Sequence, residues 1–247
     1  MAQKLQEWLD NEVAMVSHMP TKWLSEYYFN RVESRPTMID HKYMFSPADG
    51  VIMYATESIS ASEPLVEAKG KFLSLQDIMD DETLEGKFLV VSIFMTFYSQ
   101  HENMIPFSGV RTYEELPPLT TYNKPMLAVE QELLKGVINP EFQEGYLRVN
   151  GREISEIVSP KLGQEYFLVR IGDYDVDTMI NYSQPSGEEG TPYLQNDRFG
   201  KIAYGSQCIL IVPQYEDGAC SFKLRPEATV GMYVKTKLDA LVEVIYH

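Results

Sequence analysis

Cysteine is scarce in this sequence, and histidine is nearly as rare. The 247 residues contain two cysteines, Cys208 and Cys220, and four histidines. Two cysteines cannot build the disulfide framework of a small secreted protein, so both are expected to be reduced, as in the cytoplasm. No cysteine–histidine cluster has the spacing of a zinc site, so no bound metal is expected.

Positive charge is scarce as well. The chain has 36 acidic and 21 basic residues, which gives a formal net charge of −15. A surface this acidic repels the phosphates of nucleic acids, so these are not expected as partners. The same charge opposes adhesion to an anionic lipid surface.

Long hydrophobic runs are absent. The longest strongly apolar run covers residues 88–95, whereas a membrane-spanning helix needs about 18 apolar residues. No basic start followed by an apolar stretch marks a signal peptide at the N-terminus. We therefore expect a cytoplasmic protein whose contact with a membrane, where it has one, is peripheral.

The first part of the chain has the pattern of amphipathic helices. Leu5, Trp8 and Val13 recur with the spacing of one helix face, and Pro20 separates this helix from a second short one. We predict a helical N-terminal segment over residues 1–36. Its aromatic side chains are candidate anchors for peripheral membrane contact.

The rest of the chain has the pattern of short β-strands, and we predict one β-rich core over residues 37–247. The run at 87–95 is continuously apolar, as in a strand buried on both faces. Three prolines predict a loop over 112–128, and Asn150-Gly151 predicts a hairpin turn. The fold class expected is α+β but mostly β, with an antiparallel sandwich or barrel-like core and short N-terminal helices.

One stretch near the C-terminus combines an apolar strand with a Gly-Ser pair. The sequence RFGKIAYGSQCILIVP, residues 198–213, is predicted to be one buried strand that Gly205-Ser206 interrupts. Glycine weakens a strand interior and usually marks a bulge, a bend or the close approach of another group.

Four motifs occur in order along the chain: SPADG at 46–50, KGKFLSL at 69–75, HENMIPFSG at 101–109 and FGKIAYGSQCILIVP at 199–213. Ahead of them, WLSEYYFNRVESRP at 23–36 has an aromatic-Arg…Arg-Pro pattern. Together these motifs resemble the phosphatidylserine decarboxylase family, and the resemblance spans roughly residues 23–213.

The resemblance implies a proenzyme that cuts itself between Gly205 and Ser206. The serine would become a pyruvoyl group, which is the cofactor of the family. Such a group takes the place of pyridoxal phosphate in a decarboxylase, because its carbonyl reacts with the substrate amine and accepts the electrons released with CO2.

The resemblance also implies roles for the other motif residues. Ser206 corresponds to the nucleophile, and Asp49 to the aspartate that supports the activating histidine. His101 is the predicted acid/base group for both self-cleavage and decarboxylation. Asn103 is predicted to assist it by hydrogen bonding. Met104 stands where many members have a second histidine, and methionine cannot act as a base.

Three functions remain open at this stage. The first is decarboxylation of phosphatidylserine to phosphatidylethanolamine, and the second is decarboxylation of a soluble amino acid on the same scaffold. The third, motivated by Met104, is a non-catalytic relative that stays uncut. Because members of the family often pair, a homodimer is also expected.

Overall fold

A computed structural model describes residues 2–64, 66–68, 71–123, 146–172, 179–183, 190–203 and 205–247 of the chain. The motif at 69–75 thus lies partly outside the described residues. Strands dominate and helices are few and short, so the predicted mostly-β fold is confirmed. Within these ranges, no helix has the length and apolar character needed to cross a membrane.

The N-terminal segment is helical, as its pattern predicts, but the helices are short. In the described part of the chain they are α1 (Leu5–Trp8), α2 (Ala14–Val16), α3 (Thr21–Trp23) and, further on, α4 (Leu75–Met79), with π-helical stretches at Leu9–Val13 and Leu24–Tyr28. Trp8 is 1% exposed and stacks on Tyr233 with the ring centroids 4.2 Å apart. The segment therefore packs against the core, and a domain boundary after residue 36 stays a prediction.

The strands of the described residues are β1 (Gln3–Lys4), β2 (Tyr43–Phe45), β3 (Gly50–Ser60), β4 (Val66–Ala68), β5 (Lys71–Leu73), β6 (Lys87–Phe94), β7 (Glu102–Met104), β8 (Gly109–Asn123), β9 (Tyr146–Ser159), β10 (Gln164–Gly172), β11 (Met179–Asn181), β12 (Thr191–Tyr193), β13 (Arg198–Ile202), β14 (Gly205–Pro213), β15 (Cys220–Leu224), β16 (Met232–Val234) and β17 (Ala240–Tyr246). The pairs that they form are antiparallel.

A large nine-stranded sheet has the order β1-β16-β3-β6-β14-β10-β9-β8-β12. Two three-stranded sheets, β11-β13-β7 and β15-β17-β2, and the pair β4-β5 complete the described sheets. Residues of both three-stranded sheets share one hydrophobic cluster with one face of the large sheet, which makes a sandwich.

The central strands are buried on both faces, which explains their unbroken apolar sequences. In β6, Leu89, Val91 and Ile93 belong to the sandwich core, whereas Phe88 and Val90 belong to a second cluster that includes α4. Each fully buried aliphatic side chain of this kind contributes roughly 1.5–3 kcal/mol to stability. Residues 88–94 of β6 and residues 207–213 of β14 are all buried.

The loop predicted from the prolines is wrong for the residues that the structure describes. Residues 112–123 belong to β8, whose pairing with β9 shifts register between Leu116 and Leu119. Pro117 and Pro118 fall in this shift, where a missing N–H donor breaks no ladder bond. Residues 124–128 lie outside the described residues.

The hairpin turn predicted at Asn150-Gly151 is also wrong. Both residues lie inside β9, where Asn150 pairs with Leu119. The Asn150 side-chain amide donates to the Gly172 carbonyl oxygen at 2.9 Å. A dipeptide with strong turn propensity is thus held in a strand by tertiary contacts.

Gly50, the first residue of β3, lies very close to the backbone of Phe94 at the end of the neighbouring strand β6. A Cβ atom on Gly50 would overlap the Phe94 carbonyl oxygen and lie 2.7 Å from the Phe94 carbonyl carbon. We expect Gly50→Ala to lower the free energy of unfolding by about 3 kcal/mol, because backbone cannot move aside as a side chain can. Urea denaturation measures this, with Gly218→Ala as the control. The nearest contact of a Cβ on Gly218 is 3.1 Å, so an equal loss in the two variants would contradict the expectation.

Candidate active site

The predicted cleavage bond lies where the chain passes from one sheet to another. The prediction of a single strand over residues 198–213 is wrong. β13 ends at Ile202 in a three-stranded sheet, and β14 begins at Gly205 in the nine-stranded sheet. Residue 204 lies outside the described residues. The Gly-Ser pair thus opens a strand instead of interrupting one.

Ser206 occupies a β-bulge at this point. On β10, Ile171 pairs with Gln207 and Gly172 pairs with Gly205, which leaves Ser206 as the extra residue of the described ladder. A bulge frees one residue from the ladder and re-aims its side chain, and bulges are frequent beside active sites. The side chain of Ser206 lies outside the described residues, so its role as nucleophile stays a prediction.

Strand pairing brings three distant parts of the sequence to one end of the large sheet. Val51 of β3 pairs with Phe94 of β6, and Phe94 pairs with Gln207 of β14. Asp49, Thr96 and Ser206 each lie one or two residues beyond this row. Because neighbouring strands are about 4.8 Å apart, the predicted site residues Asp49 and Ser206 lie at the same end of the large sheet as Thr96.

His101 is buried beside this end of the sheet, and each of its ring nitrogens lies against a backbone carbonyl oxygen. Nε2 lies 3.0 Å from the Thr96 carbonyl oxygen, and Nδ1 lies 3.0 Å from the Ile202 carbonyl oxygen. The Phe29 ring stacks on the imidazole with centroids 4.2 Å apart. The main chain is fixed as well, because the His101 N–H donates to the Phe29 carbonyl and the Ile202 N–H donates to the His101 carbonyl.

Burial keeps this imidazole neutral. It lowers the pKa of His101 to about 4, and the positive charge of Arg31 acts in the same direction. The carbonyls of Thr96 and Ile202 and the charge of Asp49 oppose the shift without reversing it. A neutral imidazole has one N–H, so one of the two carbonyls faces a ring lone pair.

Asp49 is fully buried and held by an arginine. Arg35 donates to both carboxylate oxygens, with Nη1 2.7 Å from Oδ1 and Nη2 2.5 Å from Oδ2. Thr236 donates to Oδ1 from its backbone N–H at 2.8 Å, and the Gln100 amide approaches Oδ1 at 3.4 Å. In the part of the chain that the structure describes, no hydrogen bond joins Asp49 to His101 directly. The predicted support of the histidine by Asp49 stays a prediction.

Asn103 and Met104 lie on β7, which pairs with β13. The Asn103 Oδ1 atom is 3.5 Å from the Arg170 guanidinium, and its amide contacts the Met95 sulfur at 3.8 Å. Met104 is buried, and its backbone N–H donates to the Pro47 carbonyl of the SPADG turn at 2.9 Å. The strand thus connects the turn that holds Asp49 with the strand that leads to Gly205.

A buried charge cluster beside Asn103 was not predicted. Arg170 donates to both carboxylate oxygens of Glu153 at 2.7 and 2.8 Å, and Arg111 donates to Glu153 at 2.9 Å. Asn181 accepts from both arginines, and Phe199 lies under the two guanidinium groups. No local sequence pattern predicts this cluster. Among the partners of Asp49, only Arg35 belongs to a motif, the Arg-Pro pair at residues 35–36.

Residues 26–236 match the family described as phosphatidylserine decarboxylase. The chain belongs to the phosphatidylserine decarboxylase family. It is also 25% identical over 194 residues to the phosphatidylserine decarboxylase proenzyme of Francisella philomiragia. That match covers 72% of this chain and 64% of the relative, so the chain spans less than two thirds of that protein.

Membership of the phosphatidylserine decarboxylase family confirms the resemblance that the ordered motifs predicted. The matched region begins in the helical segment before Arg31 and extends to Thr236. It therefore includes every predicted site residue and the Arg35 and Thr236 partners of Asp49.

Removing Arg35 should destabilise the whole fold. Its side chain is 5% exposed and Asp49 is fully buried, so Arg35→Met leaves a buried carboxylate without its counter-charge. We expect a loss of about 3–5 kcal/mol in the free energy of unfolding. The matched control is Arg225→Met, which breaks a pair with Glu227 whose side chains are 27% and 31% exposed, and should cost about 1 kcal/mol or less. Denaturant unfolding of both variants checks this, and similar losses would contradict it.

The buried neutral histidine gives a pH dependence to stability. Between pH 6.5 and about 4, the unfolded chain binds a proton at His101 that the folded chain does not bind. The free energy of unfolding should therefore fall as the pH falls through this window, by up to about 1.4 kcal/mol per pH unit. The free energy of unfolding is measured with denaturant at pH 7, 6 and 5. The two proteins compared are Ser206→Ala, which is expected to stay uncut, and the same variant with His101→Gln. A difference between the two that does not change with pH would contradict the assignment.

Proposed function

We propose that the chain is a self-processing decarboxylase that converts phosphatidylserine to phosphatidylethanolamine and CO2. The observation that carries the proposal is the position of Gly205-Ser206. The pair opens a buried strand in a β-bulge, at the sheet end where Asp49 and the turn that begins at Thr96 also lie. The family match covers the same residues.

The proposed cut uses Ser206 as an internal nucleophile. Its hydroxyl oxygen attacks the Gly205 carbonyl, and the hydroxyl proton ends on the Ser206 nitrogen as the peptide becomes an ester. β-Elimination then releases the Gly205 carboxylate and leaves a dehydroalanine, which takes up water and loses ammonia to give the pyruvoyl group. One water is consumed and one ammonia is released.

The residues around the bond fit such a group. A residue in a bulge is free of the ladder, so its backbone can change without breaking the sheet. After the cut, β14 remains between β6 and β10, and β16 and β17 remain paired with β3 and β2. The new N-terminus would thus stay at the sheet end.

A pyruvoyl group at Ser206 would supply an electrophilic carbonyl for a primary amine and an acceptor for the electron pair that decarboxylation releases. In this chain, His101 is the proposed acid/base group that returns a proton to the substrate carbon. Arg35 holds Asp49 near this site, and Asn103 lies on the strand that follows His101. The proposed role of Asp49 is to support His101, as the family resemblance implies, and its charge is the smallest of the contributions to the pKa of His101.

A decarboxylase of a soluble amino acid is the second candidate. The net charge of −15 opposes an anionic lipid surface. Trp8 and Phe29, two of the candidate membrane anchors, are buried at 1% exposure each. Peripheral membrane contact through the helical N-terminal segment would therefore depend on exposed side chains such as Met15 and Tyr27. The cytoplasmic location and the homodimer stay predictions.

A non-catalytic relative is the third candidate. Met104 supplies no base, and both ring nitrogens of His101 are occupied. Such a protein would remain a single chain without a reactive carbonyl.

Intact mass under denaturing conditions tests the cut. We expect pieces of about 23.5 and about 4.8 kDa, in proportion to 205 and 42 of the 247 residues that share 28.3 kDa. The smaller piece should be lighter by one ammonia than a chain that begins with serine. Ser206→Ala should stay whole. A wild-type chain that also stays whole on long incubation would favour the non-catalytic relative.

Release of CO2 from defined substrates tests the substrate class. Matured protein is offered phosphatidylserine in mixed micelles and, separately, a panel of free amino acids, with Ser206→Ala as the inactive control. We expect turnover of the lipid. Turnover of a free amino acid alone, from fully cut protein, would support the second candidate.

A further inference from the structure

The contacts of His101 connect the site to the strand that carries the cleavage bond. Its Nδ1 atom lies 3.0 Å from the carbonyl oxygen of Ile202, the last residue of β13. Only residues 203 and 204 separate Ile202 from Gly205. The same short segment therefore holds the histidine and leads to the predicted scissile bond.

A histidine held in this way cannot exchange protons with a substrate. One ring nitrogen donates to a carbonyl, and the lone pair of the other points at a second carbonyl. Both carbonyls belong to the backbone, and the ring is 1% exposed under Phe29. Before His101 can act as an acid or a base, one of these two contacts must open.

The two contacts differ in what the cut does to them. Thr96 lies in a turn closed by Ser99, whose hydroxyl accepts from the Thr96 N–H at 3.1 Å, and cleavage at Gly205 does not touch that turn. The Ile202 carbonyl belongs to the first peptide beyond the β13 ladder. In the intact chain this peptide is fixed at both sides, by β13 and by the pairing of Gly205 with Gly172.

We propose that the intact chain masks His101, and that cleavage after Gly205 unmasks its Nδ1 atom by releasing the Ile202 carbonyl. The inference rests on the proposed self-cleavage. After the cut, residues 203–205 become a free C-terminus, and the peptide that follows Ile202 can rotate without moving β14. Ile202 itself stays in place, because its side chain is fully buried and its N–H donates to the His101 carbonyl.

The mask gives the two reactions an order. The cut moves a proton from the Ser206 oxygen to the Ser206 nitrogen, and the mask implies that a group other than His101 carries this proton. This differs from the role in self-cleavage that the sequence predicts for His101. The proton returned after loss of CO2 comes from His101, which becomes free only in the cut protein. Arg31 and Asp49 act on the ring in both states, and the cut adds one charged group, the new carboxylate of Gly205 at the end of the segment that follows Ile202.

Histidine NMR on the full chain tests the mask. Nitrogen-15 shifts of the His101 ring are followed from pH 8 to pH 5 in cut wild-type protein and in Ser206→Ala. His101 should not titrate in Ser206→Ala. In the cut protein its midpoint should rise from about 4 into the measured pH range, because a freed nitrogen regains solvent and the new Gly205 carboxylate favours the charged ring.

The outcomes separate the mask from the proposed function. Cut protein in which His101 remains untitrated would overturn the mask and leave the proposed function standing. Wild-type protein that stays uncut by mass would overturn both. Following one wild-type sample while it matures gives the same comparison without a variant.

His101→Gln provides a second, independent test. Glutamine can donate to one carbonyl but cannot act as an acid or base at neutral pH. We expect this variant to cut itself normally by mass, and to lose decarboxylation at least about 100-fold. Failure to cut in a His101→Gln protein that keeps the wild-type methyl NMR dispersion would overturn the mask, because the histidine would then be needed before cleavage.

Discussion

The buried ion pair between Asp49 and Arg35 is the contact on which the site end of the molecule depends. Arg35 comes from the N-terminal segment, Asp49 from the turn before β3, and Thr236, which donates to the same carboxylate, from the connection between β16 and β17. A buried carboxylate must be paired, so these three parts cannot separate without a large cost. Gln100 adds the residue next to His101 to the same network.

The large sheet supplies the second constraint. Its strands place Asp49, Thr96 and Ser206 at one end, although more than a hundred residues separate Thr96 from Ser206. The three-stranded sheet β11-β13-β7 approaches that end from the side, with Ile202 at the end of β13 and His101 immediately before β7. The site therefore lies where two sheets meet. The chain crosses from one sheet to the other between β13 and β14.

The sequence predicts the parts of this fold that depend on local pattern. The apolar run of β6 is readable because both faces of the strand are buried, and the ordered motifs identify the family. Contacts between distant residues decide the rest. Asn150-Gly151 has a strong turn propensity, but its place in β9 is set by pairing with β8. The two carbonyls around His101 and the arginine on Asp49 likewise come from segments that no local pattern connects.

The C-terminal 42 residues, which the proposed cut would separate, are distributed through the molecule. They contribute β14 to the middle of the large sheet, β16 to the same sheet three positions away, and both β15 and β17 to a smaller sheet. Such interleaving arises readily while the chain is one molecule, because every pairing is intramolecular. After cleavage, the same arrangement can be rebuilt from unfolded pieces only by a bimolecular reaction in which β14 enters between β6 and β10. The cut protein would therefore depend on slow unfolding to keep its fold, because the intramolecular folding reaction that produced it is no longer possible after cleavage.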